Sequence, residues 1–372
     1  MTGHFFSFAG DDIEDDGSQP IAASATPPPT FPTAATATSA SAFPVRGKPL
    51  LPPVHHNIGH MISTLPSQIA FSTLAVVLDD GQTIQVPRRE LWDVRAQLMA
   101  EEEEGENAAQ SAPGLGEHDV KTGIYEGGFK SWESSVDMVK VLASENTAQA
   151  LSRDSCVSIE LGCGTALPSL ALFQWALAER RESAERSSLV LTLADYNPSV
   201  LFLVTLPNFI LAWALQERGT NPAIEEAFSD EELDLTPELL HAFKESLSSN
   251  NISLSFQSGA WSPGFVELLY SLSIPSGLPG KTKMLVMGAE TIYSPFALES
   301  FAKTLLLILE RQRSDPSNEY AAAIVGAKRL YFGVGGSLDD FTDKMKGLGA
   351  TVETLREETE GVRRGVVRCQ FS

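Results

Sequence analysis

Residues Cys156 to Pro168, Cys-Val-Ser-Ile-Glu-Leu-Gly-Cys-Gly-Thr-Ala-Leu-Pro, run from a continuous apolar stretch into a glycine turn and then into a helix-forming segment. The apolar stretch reads as a buried strand. Gly162 and Gly164 can take backbone angles that side chains disfavour, and without a Cβ they let a ligand lie against the main chain. The next apolar run, Leu189 to Asp195, ends on a carboxylate able to accept both hydroxyls of a ribose. Together the two runs point to a nucleoside-containing cofactor. A helix cap ahead of Pro198 is the other role open to Asp195.

The turn lacks the third glycine of a dinucleotide fingerprint, since Leu167 stands at that position, and a dinucleotide is disfavoured. The string Glu160-Leu-Gly-Cys-Gly-Thr165 resembles the first motif of the seven-strand S-adenosylmethionine methyltransferases. That resemblance implies cofactor contacts for Glu160, Gly162, Cys163 and Gly164 after the first strand, and for Asp195 and Asn197 after the second. A helix-capping or salt-bridge role is the alternative for Glu160.

Strands and helices alternate from about residue 118: a helix near Trp132 to Ala143, strands at 156–161 and 189–194, and helices at 166–181 and from Pro198. Further strands are expected at 252–256, 284–288 and 321–325, with 351–355 and 365–371 as a closing antiparallel pair. This is the rhythm of an α/β fold, a Rossmann-like seven-stranded, mostly parallel sheet with helices on both faces. Residues 1–45, and most clearly the Ala/Thr/Ser/Pro-rich part from 15, cannot bury enough surface to offset chain entropy and are expected to be mostly disordered. Residues 46–100 form an accessory region, with strands 71–78 and 82–86 joined by Asp79-Asp80-Gly81 and a helix over 88–100. Residues 101–117 read as an acidic flexible linker, and 118–372 as the catalytic domain. An acidic insertion, 216–250, carries a helix from Thr236 to Leu247 and is expected near the rim of the site.

A formal charge of −21 disfavours autonomous nucleic-acid binding and suits a basic protein partner, unless the acidic residues only solubilise loops. The longest apolar run, Val200 to Leu215, is short for a membrane span and is broken by Pro207 and Asn208, so it reads as a buried helix bent near Pro207 and no membrane partner is expected. The start shows no secretory pattern, and three unclustered cysteines suit reduced thiols inside a cell. His55, His56 and His60 have metal-compatible spacing but adjoin Pro52-Pro53 without cysteine support, so no metal is expected.

Several strings in order along the chain resemble the fungal histidine protein methyltransferases: Phe6-Ser-Phe8, Leu65-Pro-Ser67, Pro87-Arg-Arg-Glu-Leu-Trp-Asp-Val-Arg95, Tyr125 to Glu133, Glu160 to Ser169, Asp195-Tyr-Asn197, Thr205-Leu-Pro-Asn208, Ser258-Gly-Ala-Trp261, Glu290-Thr-Ile-Tyr293 and Tyr331 to Gly336. The resemblance implies methyl transfer from S-adenosylmethionine to the tele nitrogen of a histidine in a large-subunit ribosomal protein; a monomer is expected, in the cytoplasm and in the nucleus, where newly made ribosomal proteins are met. It implies that Trp132 and Glu133 face the cofactor and that Gly259 and Trp261 flank the adenine. An ordinary core tryptophan is the alternative for Trp132 and for Trp261. Glu290 and Tyr293, beyond the 284–288 strand, are the expected catalytic pair facing the target. Gly333, Gly335 and Gly336 could shape a substrate channel or a plain turn. A lysine methyltransferase of the same fold and a non-catalytic assembly factor stand as alternatives.

Overall fold

The computed structural model describes residues 49–105, 127–145, 147, 154–182, 186–275, 281–331 and 335–371. The expectations for residues 1–45 and 106–117 therefore lie outside the described residues, as do Tyr125 and Gly333. All described residues belong to one compact unit, Ala40–Ser372.

The continuous apolar run that opened the sequence is β4 (Ser155–Leu161), buried along its whole length. It lies at the centre of a sheet of eight strands among the described residues, in the order β1-β8-β5-β4-β9-β10-β12-β11. Its neighbours β5 (Leu189–Asp195), β8 (Ile252–Ser258), β9 (Thr282–Ala289) and β10 (Asn318–Lys328) are all parallel to it. β12 (Arg364–Gln370) inserts antiparallel between β10 and β11 (Thr351–Glu358). The seven expected strands are thus present, and the eighth is a correction. It is β1 (Val54–His56), contributed by the accessory segment and paired antiparallel with β8.

Period-two alternation along the strands divides the interior into two cores. Leu189, Leu191 and Leu193 of β5 face one, with Leu170, Phe173 and Phe209; Val190 and Ala194 face the other, with Phe301, Leu305 and Phe341. Each fully buried side chain of this size contributes about 1.5–3 kcal/mol relative to exposure. The strand order reverses at β4, where β5 lies on one side and β9 on the other, and open α/β sheets place their ligands at such a point.

A second sheet, β3-β2-β7-β6, holds the hairpin β2 (Gln68–Val77) and β3 (Thr83–Arg89), turned at Gly81 with φ +84°. Its remaining strands, β6 (Phe228–Ser229) and β7 (Glu232–Asp234), come from the acidic insertion, with β7 pairing with β2. The insertion completes the accessory sheet, and none of residues 216–250 lines the cavity described below. The accessory segment ends in helix α2 (Leu91–Gly105), following the short α1 (Ile58–Ser63). Residues 101–105, expected as linker, continue α2 because glutamate is a good helix former.

α3 (Glu133–Ser144) precedes β4 in the chain and packs on β10 and β12, and α4 (Leu167–Glu182) follows β4 and packs beside α3. The run after β5 forms α5 (Pro198–Glu217), with a π-helical turn at Leu201–Thr205 just before Pro207. This helix is long and apolar enough to cross a membrane, but 83% of its apolar window is buried inside the protein, as the core-helix reading expects.

Candidate active site

The carboxyl ends of β4, β5, β8, β9 and β10 surround a cavity of about 330 Å³. Its floor is the turn after β4, where Gly162 (φ +68°), Gly164 (φ +51°) and Ala166 (φ +58°) all take left-handed conformations. The alternation folds the main chain tightly enough for Ala166 N–H to donate to Cys163 O at 2.7 Å. Neighbouring elements then hold the turn: Gly164 N–H donates to Asp195 Oδ2 (3.0 Å), Thr205 Oγ1 donates to Gly164 O (2.7 Å), and Asn208 Nδ2 donates to Thr165 O (3.1 Å). Such a loop is shaped before any ligand arrives, which lowers the ordering cost of binding.

Two carboxyls stand at this end. Asp195 spans the turn, accepting from Gly164 N–H and, through Oδ1, from Asn197 N–H at 3.1 Å. Burial pushes it up to about 6, against the pull of these hydrogen bonds. Asn197, rather than Asp195, caps α5, accepting from Ser199 N–H. Glu160 is 2% exposed, and burial pushes it up to about 8. Its Oε2 accepts from the backbone N–H and hydroxyl of Ser169 in α4, so the anticipated capping role is real. Glu160 nonetheless lines the cavity.

The other end is built around Glu290, which follows β9 with φ +57°, a conformation that costs a non-glycine residue about 1–3 kcal/mol. Its N–H donates to Gly326 O at 2.9 Å. The two carboxylate oxygens accept from the Ser134 hydroxyl of α3 and from the Tyr331 hydroxyl beyond β10. Burial raises Glu290 above the ordinary carboxylate range, while these two bonds and the nearby Lys328 act in the opposite sense. Lys328 Nζ lies 5.3 Å from the Trp132 ring centroid and 5.8 Å from that of Tyr331.

Of the residues expected at the site, Trp132, Glu160, Gly162, Cys163, Gly164, Asp195, Asn197, Trp261, Glu290 and Tyr293 line this one cavity. Trp132 is 40% exposed, which sets aside the core-tryptophan alternative. Trp261 packs edge-on against Phe301, and its Nε1 is buried with no hydrogen-bond partner among the described residues. Two expectations change. Glu133, the first residue of α3, does not line the cavity: successive positions on a helix turn by about 100°, and Ser135 lines it instead while Ser134 reaches Glu290. Gly259 is also absent from the wall. It has φ +105°, and a Cβ there would stand 2.3 Å from Pro52 O, so it admits the accessory segment to the end of β8. Gly336 is likewise a packing glycine, since a Cβ would lie 2.1 Å from Ile292 O and its N–H donates to Tyr293 O.

Ser134, Lys328 and Tyr331 were missed. Lys328 and Tyr331 had a signal in their position at the end of a parallel strand, whereas Ser134 had none along the chain. The accessory segment also adds Leu50 to the wall, held where Leu51 N–H donates to Tyr196 Oη at 3.1 Å and Leu51 O accepts from Ala260 N–H.

No family model matches the chain. A Saccharomyces cerevisiae protein named Histidine protein methyltransferase 1 is 37% identical over 297 residues, 75% of this chain and 75% of its own length. A Schizosaccharomyces pombe protein of the same name is 31% identical over 317 residues, 84% of this chain and 83% of its own. The chain belongs to the histidine protein methyltransferase family. A Bos taurus homologue of that name is 26% identical over 281 residues, covering 75% of this chain and 64% of its own. Among solved structures, a human methyltransferase 10 domain containing protein is similar at 11% identity and a TM-score of 0.30, over 62% of this chain and 82% of that one.

S-adenosylmethionine is the methyl donor of a member of this family. The residues at the β4–β5 end suit it chemically: Asp195 can accept ribose hydroxyls, Trp261 offers an unused buried donor, and Glu160 Oε1 takes no hydrogen bond among the described residues. Two carboxyls, the buried Glu160 and the half-buried Asp195, also favour a ligand that carries positive charge.

Proposed function

We propose that this protein transfers a methyl group from S-adenosylmethionine to the tele nitrogen of a histidine side chain in a protein of the large ribosomal subunit, with an effect on ribosome assembly or translation. The observation that carries this reading is Glu290, a carboxylate held by two hydroxyls at the end of the cavity away from Asp195. The donor supplies an electrophilic methyl group on a positively charged sulfur. Imidazole, with a pKa near 6.5, is mostly neutral at cytoplasmic pH and already offers a lone pair. The protein then has to select the tautomer with that lone pair on the attacked nitrogen and align it.

Glu290 suits that task. A carboxylate that accepts the N–H of the other ring nitrogen fixes the tautomer, and it favours the ring as positive charge develops there. Ser134 and Tyr331 hold the carboxylate in place. Trp132 and Tyr293 supply aromatic wall for a flat ring. The net charge of −21 supports a basic protein partner, and ribosomal proteins are of that kind. A monomer working in cytoplasm and nucleus, where newly made ribosomal proteins are still accessible, fits the same reading.

The test is mass spectrometry of large-subunit proteins from cells with and without the gene. One histidine peptide is expected to lose the mass of one methyl group and to regain it with the intact protein but not with Asp195→Ala. A missing methyl-lysine in its place would transfer the reading to lysine, and no change in methylation would favour a binding-only role.

A further inference from the structure

The target end of the cavity holds an anion and a cation, Glu290 and Lys328, near enough to influence each other but, among the described residues, joined by no ion pair. Each oxygen of Glu290 accepts from a neutral hydroxyl, of Ser134 or of Tyr331. Lys328, the last residue of β10, lies over the Trp132 and Tyr331 rings, and among the described residues it forms no ion pair. A pocket made for an ammonium group would present an open carboxylate, and this one presents a carboxylate bonded to hydroxyls beside a resident positive charge. We propose that Lys328 is a specificity-determining residue that admits a neutral imidazole and rejects cationic side chains, lysine above all. The inference rests on the histidine reading above and deepens it.

The physical basis is like-charge repulsion in a partly desolvated cavity. A lysine target arrives as an ammonium, with an ordinary pKa near 10.4, and meets the charge of Lys328. A unit charge at roughly 6 Å and an effective dielectric of roughly 40 disfavours it about tenfold. Neutral imidazole meets no such barrier on entry, and the positive charge that develops on it during transfer is met by the Glu290 carboxylate. The aromatic rings hold the ammonium of Lys328 without neutralising it, and Glu290, engaged by two hydroxyls, offsets its charge only in part.

The experiment incubates large-subunit ribosomal proteins from cells lacking the gene with labelled S-adenosylmethionine and purified enzyme, then separates methylhistidine from methyl-lysine in the hydrolysate. The wild-type protein and Lys328→Arg, which keeps the charge, are expected to yield methylhistidine. Lys328→Met is expected to raise the ratio of methyl-lysine to methylhistidine about tenfold. An unchanged ratio in Lys328→Met and in Lys328→Gln, with cofactor affinity intact by calorimetry, would overturn the assignment and leave the histidine reading standing. Loss of all transfer or of cofactor binding in both variants would also overturn it, by making Lys328 a residue of catalysis or folding. Methyl-lysine as the main product of the wild-type protein would instead sink the histidine reading itself.

Discussion

At the scale of single residues, the carboxyls of Asp195 and Glu160 make cofactor binding sensitive to pH. Burial pushes Asp195 up to about 6 and Glu160 up to about 8. Both values are raised, so in the unliganded protein their contribution to stability is complete below the ordinary carboxylate range and is lost as pH rises through about 6 and then about 8. Ligand groups that donate to the charged carboxylates pull the other way. Cofactor binding is therefore expected to release protons, and the Asp195 contribution alone to lower affinity by up to about tenfold per pH unit below about 6. Calorimetry in buffers of different ionisation enthalpy reads both effects. Glu290→Gln probes the other end, where loss of one charge-stabilising group is expected to lower kcat by about a hundredfold or more while cofactor affinity is kept. Asp195 and Glu160 were legible in the sequence because their roles depend on adjacency to a strand end. The Ser134 and Tyr331 partners of Glu290 were not, since they lie 156 and 41 residues away along the chain.

At the scale of elements, the accessory hairpin braces the cofactor turn through α5. Pro207 has no N–H to donate to the carbonyl four residues before it, and the Leu203 carbonyl accepts instead from Arg89 Nη1 at 2.9 Å. Arg89 is buried and also pairs with Asp93 at 2.6 Å. Its own N–H donates to Asn208 Oδ1 at 2.7 Å, and Asn208 in turn donates to Thr165 O in the turn. The strings Pro87 to Arg95 and Thr205 to Asn208 supported the family resemblance, and the structure shows them in contact. Arg89→Met strands the partly exposed Asp93 carboxylate and the buried Leu203 carbonyl and is expected to cost about 1–3 kcal/mol, measured by urea unfolding. Asn208→Ala is expected to cost about 1–3 kcal/mol and also to weaken cofactor affinity, since it releases Thr165.

At the scale of the whole molecule, the segment before the catalytic domain shares its core. Met61, Ile69, Phe71, Val76 and Val86 are buried in the same cluster as Leu170, Phe173 and Phe209. β1 extends the main sheet, and the neighbouring Pro52 packs on Gly259. A chain beginning at residue 118 would expose that cluster, and its circular dichroism and thermal melt are expected to show no cooperative transition. Gly259→Ala, which forces both a clash and an unfavourable φ, is expected to cost roughly 2–4 kcal/mol and to displace Leu50 from the cavity wall.

The sequence by itself determined the strand-turn-helix unit, the order of strands and helices, the class of cofactor and most of the wall near Asp195. The elements and a nucleoside-containing cofactor follow from local periodicity, from glycine at left-handed positions and from carboxylates that end apolar runs, all properties of neighbours in the chain, whereas the methyl donor and the wall residues beyond Asp195 follow from the family resemblance of short strings. Only the tertiary structure decided that residues 54–56 are a strand of the main sheet, that the acidic insertion completes the small sheet, and that Glu290, Ser134, Tyr331 and Lys328 meet. The physical reason is that strand order and helix packing bring these groups together, and no local pattern encodes which distant side chain will stand opposite another.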